Sequence, residues 1–581
     1  MKYSVFSIIS FLAVQFIWAQ SADSLGIQQL TVVKSFDPAT AAAQKLKDQP
    51  VWDSLPKARS GGKYIYPSFG LGPVWGSKQA HQLPPLTRKV DDIYRYFASL
   101  EGGNLKAYGA EFGLNTSLNR RTDFGVITGI RGAEGDFADF FQDPFYRNAR
   151  LVSQAQTSLG GALLTQDLTV NSDAFNYYGT QNQQELTQTS YLIVSPVELA
   201  TRFQSLNFRQ SVQFDQGTLQ ELAWEGSRVG NLLGFRETKF MALGRGSIPR
   251  KSGDLEFSGR AQAMWVHRSE SALDQFDLQG SGYRLGLVNW STTYAFQTKG
   301  IDYRLGVKGA YHAQGGDDRV YVFPNIVAAY QAPSGVFQGE FSLSGGMESP
   351  DFNSMRQINP WLSANQLIRP ARTTYSVQAS GIWSPDESIQ LQAKLYTDQV
   401  NDRALFTLNP LNYFRSTPDA LGNSYQVVYD QVTTSGLDLS AYWSPVSQWN
   451  ISLDGGWRHM VPDRLTKAWN IPTAYFNAQL EGRLLKRWYW GVQGQWMNQR
   501  HDQFTQVVQF IQPGSFPSSL IELPSRVIAH TQFRYQFRDQ WNFSLKVNNI
   551  FQQSQTPWAQ YREMGRMVLL GVNYQWDLFK F

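Results

Sequence analysis

The sequence predicts an all-β chain whose strands close into one large antiparallel transmembrane barrel. Three observations predict it. Apolar and polar residues alternate in run after run, down to the closing "RMVLLGVNYQWDLFKF". Aromatic residues reach 14%, and several of those runs open on a Trp. An apolar leader stands at the N-terminus. Alternation gives a strand one greasy and one wet face, because successive side chains point to opposite sides. A soluble sandwich alternates too. The leader, and runs that open on a Trp as an interfacial girdle requires, favour the barrel.

Taken in order, residues 1–19 read as a secretory signal peptide. Lys2 supplies the basic start, Val5 to Trp18 the apolar core, and Ala19 the small residue at the cleavage point. Residues 20–88 lack sustained alternation and are rich in Pro, Lys and Ala. They read as an N-terminal periplasmic arm, or a reduced plug, with one short helix that Asp37-Pro38 starts, that runs through Ala41 to Lys47 and that Pro50 ends.

From residue 89 to 581 the texture is that of strands. Ile301, Tyr303, Leu305 and Val307 oppose Asp302, Arg304 and Lys308. Tyr375, Val377 and Ala379 oppose Ser376, Gln378 and Ser380, and Ile389, Leu391 and Ala393 oppose Gln390, Gln392 and Lys394. Later runs open at the turn on Trp449, Trp488 and Trp541, where an interfacial ring belongs. The last run sets Val568, Leu570, Val572, Tyr574 and Trp576 against Gly571, Asn573, Gln575 and Asp577. We expect between about 18 and 22 strands, with about 20 as the central value, since such barrels usually have even numbers. Ser384–Ser388 and Ser444–Gln448 read as turns, and 397–424 as a surface loop. Strand register between 140 and 250 is weakly marked.

Bulk properties exclude other classes. No apolar run after the leader approaches the roughly 20 residues of a spanning helix. Cysteine is absent, which removes disulfides and thiolate metal sites. A net charge of +5 on 581 residues, without a basic cluster interleaved with aromatics, argues against nucleic acid.

The C-terminal run "FSLKVNNIFQQSQTPWAQYREMGRMVLLGVNYQW" resembles the closing segment of TonB-dependent receptor barrels. Asn549-Ile550-Phe551, Trp558, Tyr561, Gly565-Arg566 and Tyr574-Gln575-Trp576 stand where that family has its Asn-Leu-Phe, aromatic pair, Gly-Arg and final strand. "VYVFPNIVAAYQ", "INPWL", "KAWNIPTAY" and the arm "TVVKSFDPATAAAQKLKDQP" extend the resemblance. It implies a plug-less relative of the family in the outer membrane of a Gram-negative bacterium. Implied partners are outer-membrane lipid, the barrel assembly machinery, and a TonB-type energy-coupling protein or an envelope complex. By the same resemblance, Tyr574, Trp576 and the terminal Phe581 serve assembly through the last strand. Leu30, Thr31, Val32, Val33 and Lys34 would pair with the coupling protein by β-addition. The chain departs from the pattern in its short N-terminal region, where a full plug would be a domain of about 100 residues.

No catalytic, cofactor or metal site is expected. His81, His267, His312, His459, His501 and His530 are scattered without ligand spacing, and no nucleophile elbow occurs. A hydrolase assembled from separate strands stays open, because such partners converge only in three dimensions. Arg120–Asp123 and Gly244–Lys251 are local basic spots expected at turns or loops. The expected function is admission or transport of a solute. The rival is a scaffold barrel serving an envelope assembly or secretion complex.

Overall fold

The computed structural model describes residues 95–135, 142–179, 200–232, 234–268, 282–364, 366–409, 422–446, 448–505, 518–552 and 555–577. The leader and the arm, including Leu30–Lys34, lie outside the described residues, as does Phe581.

The first half of the chain supplies β1 (Tyr96–Gly103), β2 (Tyr108–Asn119), β3 (Thr122–Glu134), β4 (Phe145–Ser158), β5 (Ala162–Asn176), β6 (Ala200–Phe214), β7 (Leu219–Asn231), β8 (Arg236–Arg250) and β9 (Gly253–His267). Next come β10 (Gly282–Thr298), β11 (Ile301–Gln314), β12 (Asp317–Gln331), β13 (Phe337–Glu348), α1 (Phe352–Ile358), β14 (Ala371–Asp386), β15 (Ile389–Leu408) and β16 (Tyr425–Val446). The chain ends with β17 (Trp449–Pro462), β18 (Ala474–Leu485), β19 (Trp488–Met497), β20 (Arg500–Thr505), β21 (Ser518–Leu523), β22 (Arg526–Gln536), β23 (Trp541–Asn548) and β24 (Met567–Trp576).

Each strand pairs antiparallel with its neighbour, except that β20 and β21 form a separate hairpin and β19 pairs directly with β22. The ring of 22 closes where β24 meets β1, with Tyr96 opposite Trp576 and Leu100 opposite Val572. Closure leaves no unpaired strand edge, the condition for a sheet surrounded by hydrocarbon. The number falls at the top of the expected range, two above its central value. The strands hardest to read, between 140 and 250, are continuous in the structure: β4 to β8 pair in sequence, with one register shift between Leu219 and Glu221.

Register fixes the faces. Leu305 lies opposite Tyr294, and Tyr294 opposite Leu255, so one face carries an apolar belt across β9, β10 and β11. On that face Leu305, Val307, Leu395, Leu439 and Leu570 are exposed. The other face carries Arg304, Lys394, Asp438 and Lys546 on the same strands or their neighbours. The inner face is the polar one, because Asp173 of β5 and Lys239 of β8 bond α1 and its cap inside one mouth. The apolar face therefore looks outward. Trp383, Trp443, Trp488 and Trp541 stand exposed on it near the end of the barrel with short turns. Two outward indoles lie across glycines of the next strand. A Cβ on Gly309 would fall 2.1 Å from the Trp290 ring, and one on Gly482 would fall 2.3 Å from Trp449. Only glycine leaves that space.

The two ends differ. At one end turns are tight, as from Asn119 to Thr122, Thr298 to Ile301 and Val446 to Trp449. At the other, connections run from Asn176 to Ala200, Glu348 to Ala371, Leu408 to Tyr425, Met497 to Arg526 and Asn548 to Met567. Among the described residues no helix is long and apolar enough to cross a membrane, which says nothing of the strands.

Two expectations are corrected here. Residues 397–424 are not all loop, because β15 continues to Leu408. Alternation fails there because the strand tip is buried on both faces: Leu405, Phe406, Thr407 and Leu408 are all inside. Gly244–Lys251 is not mainly a turn either; Gly244 to Arg250 belongs to β8. Arg120–Asp123 does span the turn between β2 and β3.

Candidate functional site

The site is built where the long connections meet. β15 and β16 form the longest hairpin, and a bulge interrupts their register between Val400 and Arg403. Asp402 sits there with φ of 52°, in the left-handed region. A bulge bends its strand, and beyond this one the hairpin tip is buried, not alternating.

The tip reaches the far wall. β16 stands eleven places from β5 in the ring of 22, the opposite side. Yet the Asn423 side chain, two residues before β16, donates to the Tyr177 carbonyl, one residue after β5, at 2.7 Å. A bond between opposite walls has to cross the mouth. The connection after β13 crosses as well. Tyr177 donates its hydroxyl to the Leu362 carbonyl at 3.2 Å, and Leu362 forms a parallel bridge with Tyr425.

α1 anchors this crossing. Asp351 caps it, accepting from the Ser354 amide at 2.8 Å while its own amide donates to the Ser354 hydroxyl at 3.1 Å. That reciprocal box satisfies two amides that a helix start otherwise leaves free. Lys239 of β8 pairs with Asp351, and Arg356 pairs with Asp173 of β5 while lying over the Phe203 ring at 5.0 Å. Phe352 packs on Phe235 at 4.6 Å and on Phe203 at 5.5 Å.

The connection after β23 closes the centre. The Trp361 and Tyr561 rings stack at 3.9 Å, and Tyr178 meets both edge-on at 6.0 and 5.0 Å. Tyr178 donates to the Arg562 carbonyl at 2.6 Å, and Tyr561 donates to the Asn423 carbonyl. Gly179 lies so close that a Cβ there would be 2.8 Å from the Tyr561 ring. Trp558 sits edge-on to Tyr425 at 4.8 Å and to Phe406 at 5.8 Å.

The β20–β21 hairpin completes the arrangement. Asp502 accepts from the Tyr425 hydroxyl at 2.9 Å, the Gln503 amide at 2.7 Å and the Leu408 amide at 3.3 Å. Burial pushes its carboxyl above the usual carboxylate range. Arg500 donates to the Pro557 and Thr556 carbonyls at 2.6 and 3.3 Å. Connections after β5, β13, β15, β19 and β23 thus form one buried knot across the mouth.

Below the knot the wall is polar. Glu101 of β1 pairs with Lys546 of β23 at 2.7 Å, and Arg403 with Asp398 at 3.6 Å. Asp454 accepts from Asn477 and Ser440 at 3.1 Å, and Arg534 lies over the Tyr489 ring at 4.4 Å. Such a lining suits water and hydrophilic solutes, not lipid.

Of the residues expected to matter from the sequence, Tyr574 and Trp576 lie on the outer face of β24, where Trp576 stacks on Tyr96 at 5.7 Å at the closing seam. His267, His312, His459, His501 and His530 are on different strands, and among the described residues no group of three or more His, Cys, Asp or Glu gathers for a metal. The knot was not foreseen. Trp361, Trp558 and Tyr561 stand in segments noticed only for their family resemblance, and Tyr178, Tyr425 and Asp502 carry no local signal.

No protein-family model and no curated protein sequence matches the chain. Solved structures do. The FrpB iron transporter of Neisseria meningitidis aligns with a TM-score of 0.61 at 11% identity, covering 84% of this chain and 82% of that one. The siderophore receptor PirA of Acinetobacter baumannii gives 0.60 at 11%, covering 84% and 81%. The ferric enterobactin receptor of Pseudomonas aeruginosa gives 0.56 at 10%, covering 83% and 80%. At that identity the likeness is one of fold: the chain shares the large barrel architecture of these proteins.

Proposed function

We propose that this chain is an outer-membrane barrel of a Gram-negative bacterium that admits a hydrophilic solute through its lumen, with the knot as the gate. The observation that carries this reading is the Asn423–Tyr177 bond between opposite walls, set above a polar lumen. A passive pore needs no such crossing, whereas a gated path does. The proteins it resembles in fold are named as an iron transporter and siderophore receptors, which supports transport without identifying the solute here. Their likeness also supports a TonB-type coupling protein as partner, acting through Leu30–Lys34 of the arm. The long connections would face the cell exterior and the short turns the periplasm.

The second reading, a scaffold barrel for an envelope complex, is favoured by the same knot if it never opens. Planar-bilayer recording separates the two. We expect the wild type to stay at a closed level and Trp361→Ala/Tyr561→Ala to conduct in discrete steps. Recordings should be made with residues 20–88 present and deleted. Silence from every variant that still shows heat-modifiable migration would discard gated admission and leave the scaffold.

A further inference from the structure

At the long-connection rim, the outer wall carries a cleft of about 640 Å³ lined by Arg228, Arg236, Thr238, Trp265, His267 and Arg284, among others. Register places these side chains in two adjacent rows. Arg228 lies opposite Thr238, Thr238 opposite Trp265, and Trp265 opposite Arg284, so one row crosses β7, β8, β9 and β10. In the next row Arg236 lies opposite His267. All six are exposed, while the intervening Val229, Glu237, Met264, Val266 and Leu285 are buried, so the six face outward. With strands about 4.8 Å apart, the row spans roughly 14 Å.

None of the three arginines has a carboxylate partner among the described residues. Two outward basic groups elsewhere on this rim do: Lys106 and Arg147 both pair with Glu134, at 2.6 and 3.1 Å. Further down the same strands the outer face becomes apolar, with Phe240, Val288 and Trp290 exposed. Unpaired guanidinium forks above an oily wall, with an indole between them, complement a phosphorylated headgroup whose acyl chains continue down that wall.

We propose that this cleft is a binding site for a lipid with a phosphorylated anionic headgroup. The inference rests on the membrane-barrel reading, and the test separates the two. The full-length protein is inserted into dioleoylphosphatidylcholine vesicles with and without dioleoylphosphatidic acid, floated, extracted, and its retained lipid measured by native mass spectrometry. Wild type should retain phosphatidic acid over phosphatidylcholine. Arg228→Gln/Arg236→Gln/Arg284→Gln should lose roughly tenfold or more of that preference, since bonds to charged groups are the strong ones. Arg147→Gln should lose none of it. Equal retention by the triple variant, or an equal loss with Arg147→Gln, overturns the site. Displacement of the lipid by an equal concentration of inorganic pyrophosphate overturns the lipid as occupant. Protein recovered in the aqueous fraction from both vesicles would instead overturn the barrel reading.

Discussion

Gly179 is where a single side chain bears most directly on the knot across the mouth. The Tyr561 ring beside it is held by Trp361 at 3.9 Å and cannot swing away freely. Gly179→Val should therefore wedge the knot apart at a cost of about 1–3 kcal/mol, as overpacking does elsewhere. Trp361→Ala should cost more, about 3–5 kcal/mol, because it empties a buried ring site. In both cases limited proteolysis in detergent should cut the long connections faster while the barrel keeps its heat-modifiable migration; unchanged cutting would mean that these rings do not hold the connections. Asp502 gives the knot a pH dependence. Its carboxyl is raised above the unfolded value by burial, so the folded chain favours the protonated form. The stabilisation is fully present below the unfolded aspartate's pKa and is lost as pH rises through the folded one. Protection of the connections should accordingly fall as pH is raised from below the ordinary aspartate range upward. Asp502→Asn should flatten the profile, and a profile that rises with pH would contradict the assignment.

The β15–β16 hairpin carries the crossing of the mouth, and its bulge aims it. Two residues, Asn401 and Asp402, stand against Gln431 alone, between the Val400–Val432 and Arg403–Asp430 pairs. Deleting Asp402 removes the extra residue, leaves Arg403 opposite Asp430 on the same face, and takes away the bend that aims the tip. Phe406 and Leu408 then no longer meet Trp558 and the hairpin beside them, and we expect step conductance together with cleavage near residues 403–425. A closed, protected mouth in the deletion would show that the bulge does not aim the tip. This element was the least legible in the sequence, for a physical reason. Alternation reports one wet face, and a strand tip buried on both sides has none. The strands that do face lipid and lumen were legible: the faces read for Ile301 to Lys308 and for Val568 to Asp577 are the outer and inner faces of β11 and β24. Gly244–Lys251 misled because its Gly, Pro and Lys are turn residues by composition, yet pairing with β9 holds Gly244 to Arg250 in a strand. α1 is only seven residues long, too short for a helical period to show, although Asp351 and Ser354 of its capping box stand in the sequence.

On the scale of the whole molecule, two long-range facts decide the architecture, and neither is local in sequence. One is the seam, where β24 returns to β1 and Trp576 packs on Tyr96. The other is the knot, whose bonds join strands eleven places apart in the ring. Trp576→Ala strips the outer seam of an indole that also stacks with Tyr574 at 5.2 Å. Its expected effect is a lower temperature for loss of heat-modifiable migration, and no shift would assign closure to the backbone ladder alone. Beneath both facts lies the orientation of the wall, apolar toward lipid and polar toward the lumen. The chain contains no cysteine, so single cysteines report on that wall without background. The most direct measurement places them at Leu305, Leu395 and Leu453 on one face and at Arg304, Ser380 and Ser440 on the other, in protein inserted in vesicles. A membrane-impermeant, water-soluble maleimide should label the second set and spare the first, and a lipid-dissolved maleimide should do the reverse. Aqueous labelling of the leucine positions, in protein that stays in solution without detergent, would contradict the account at its root.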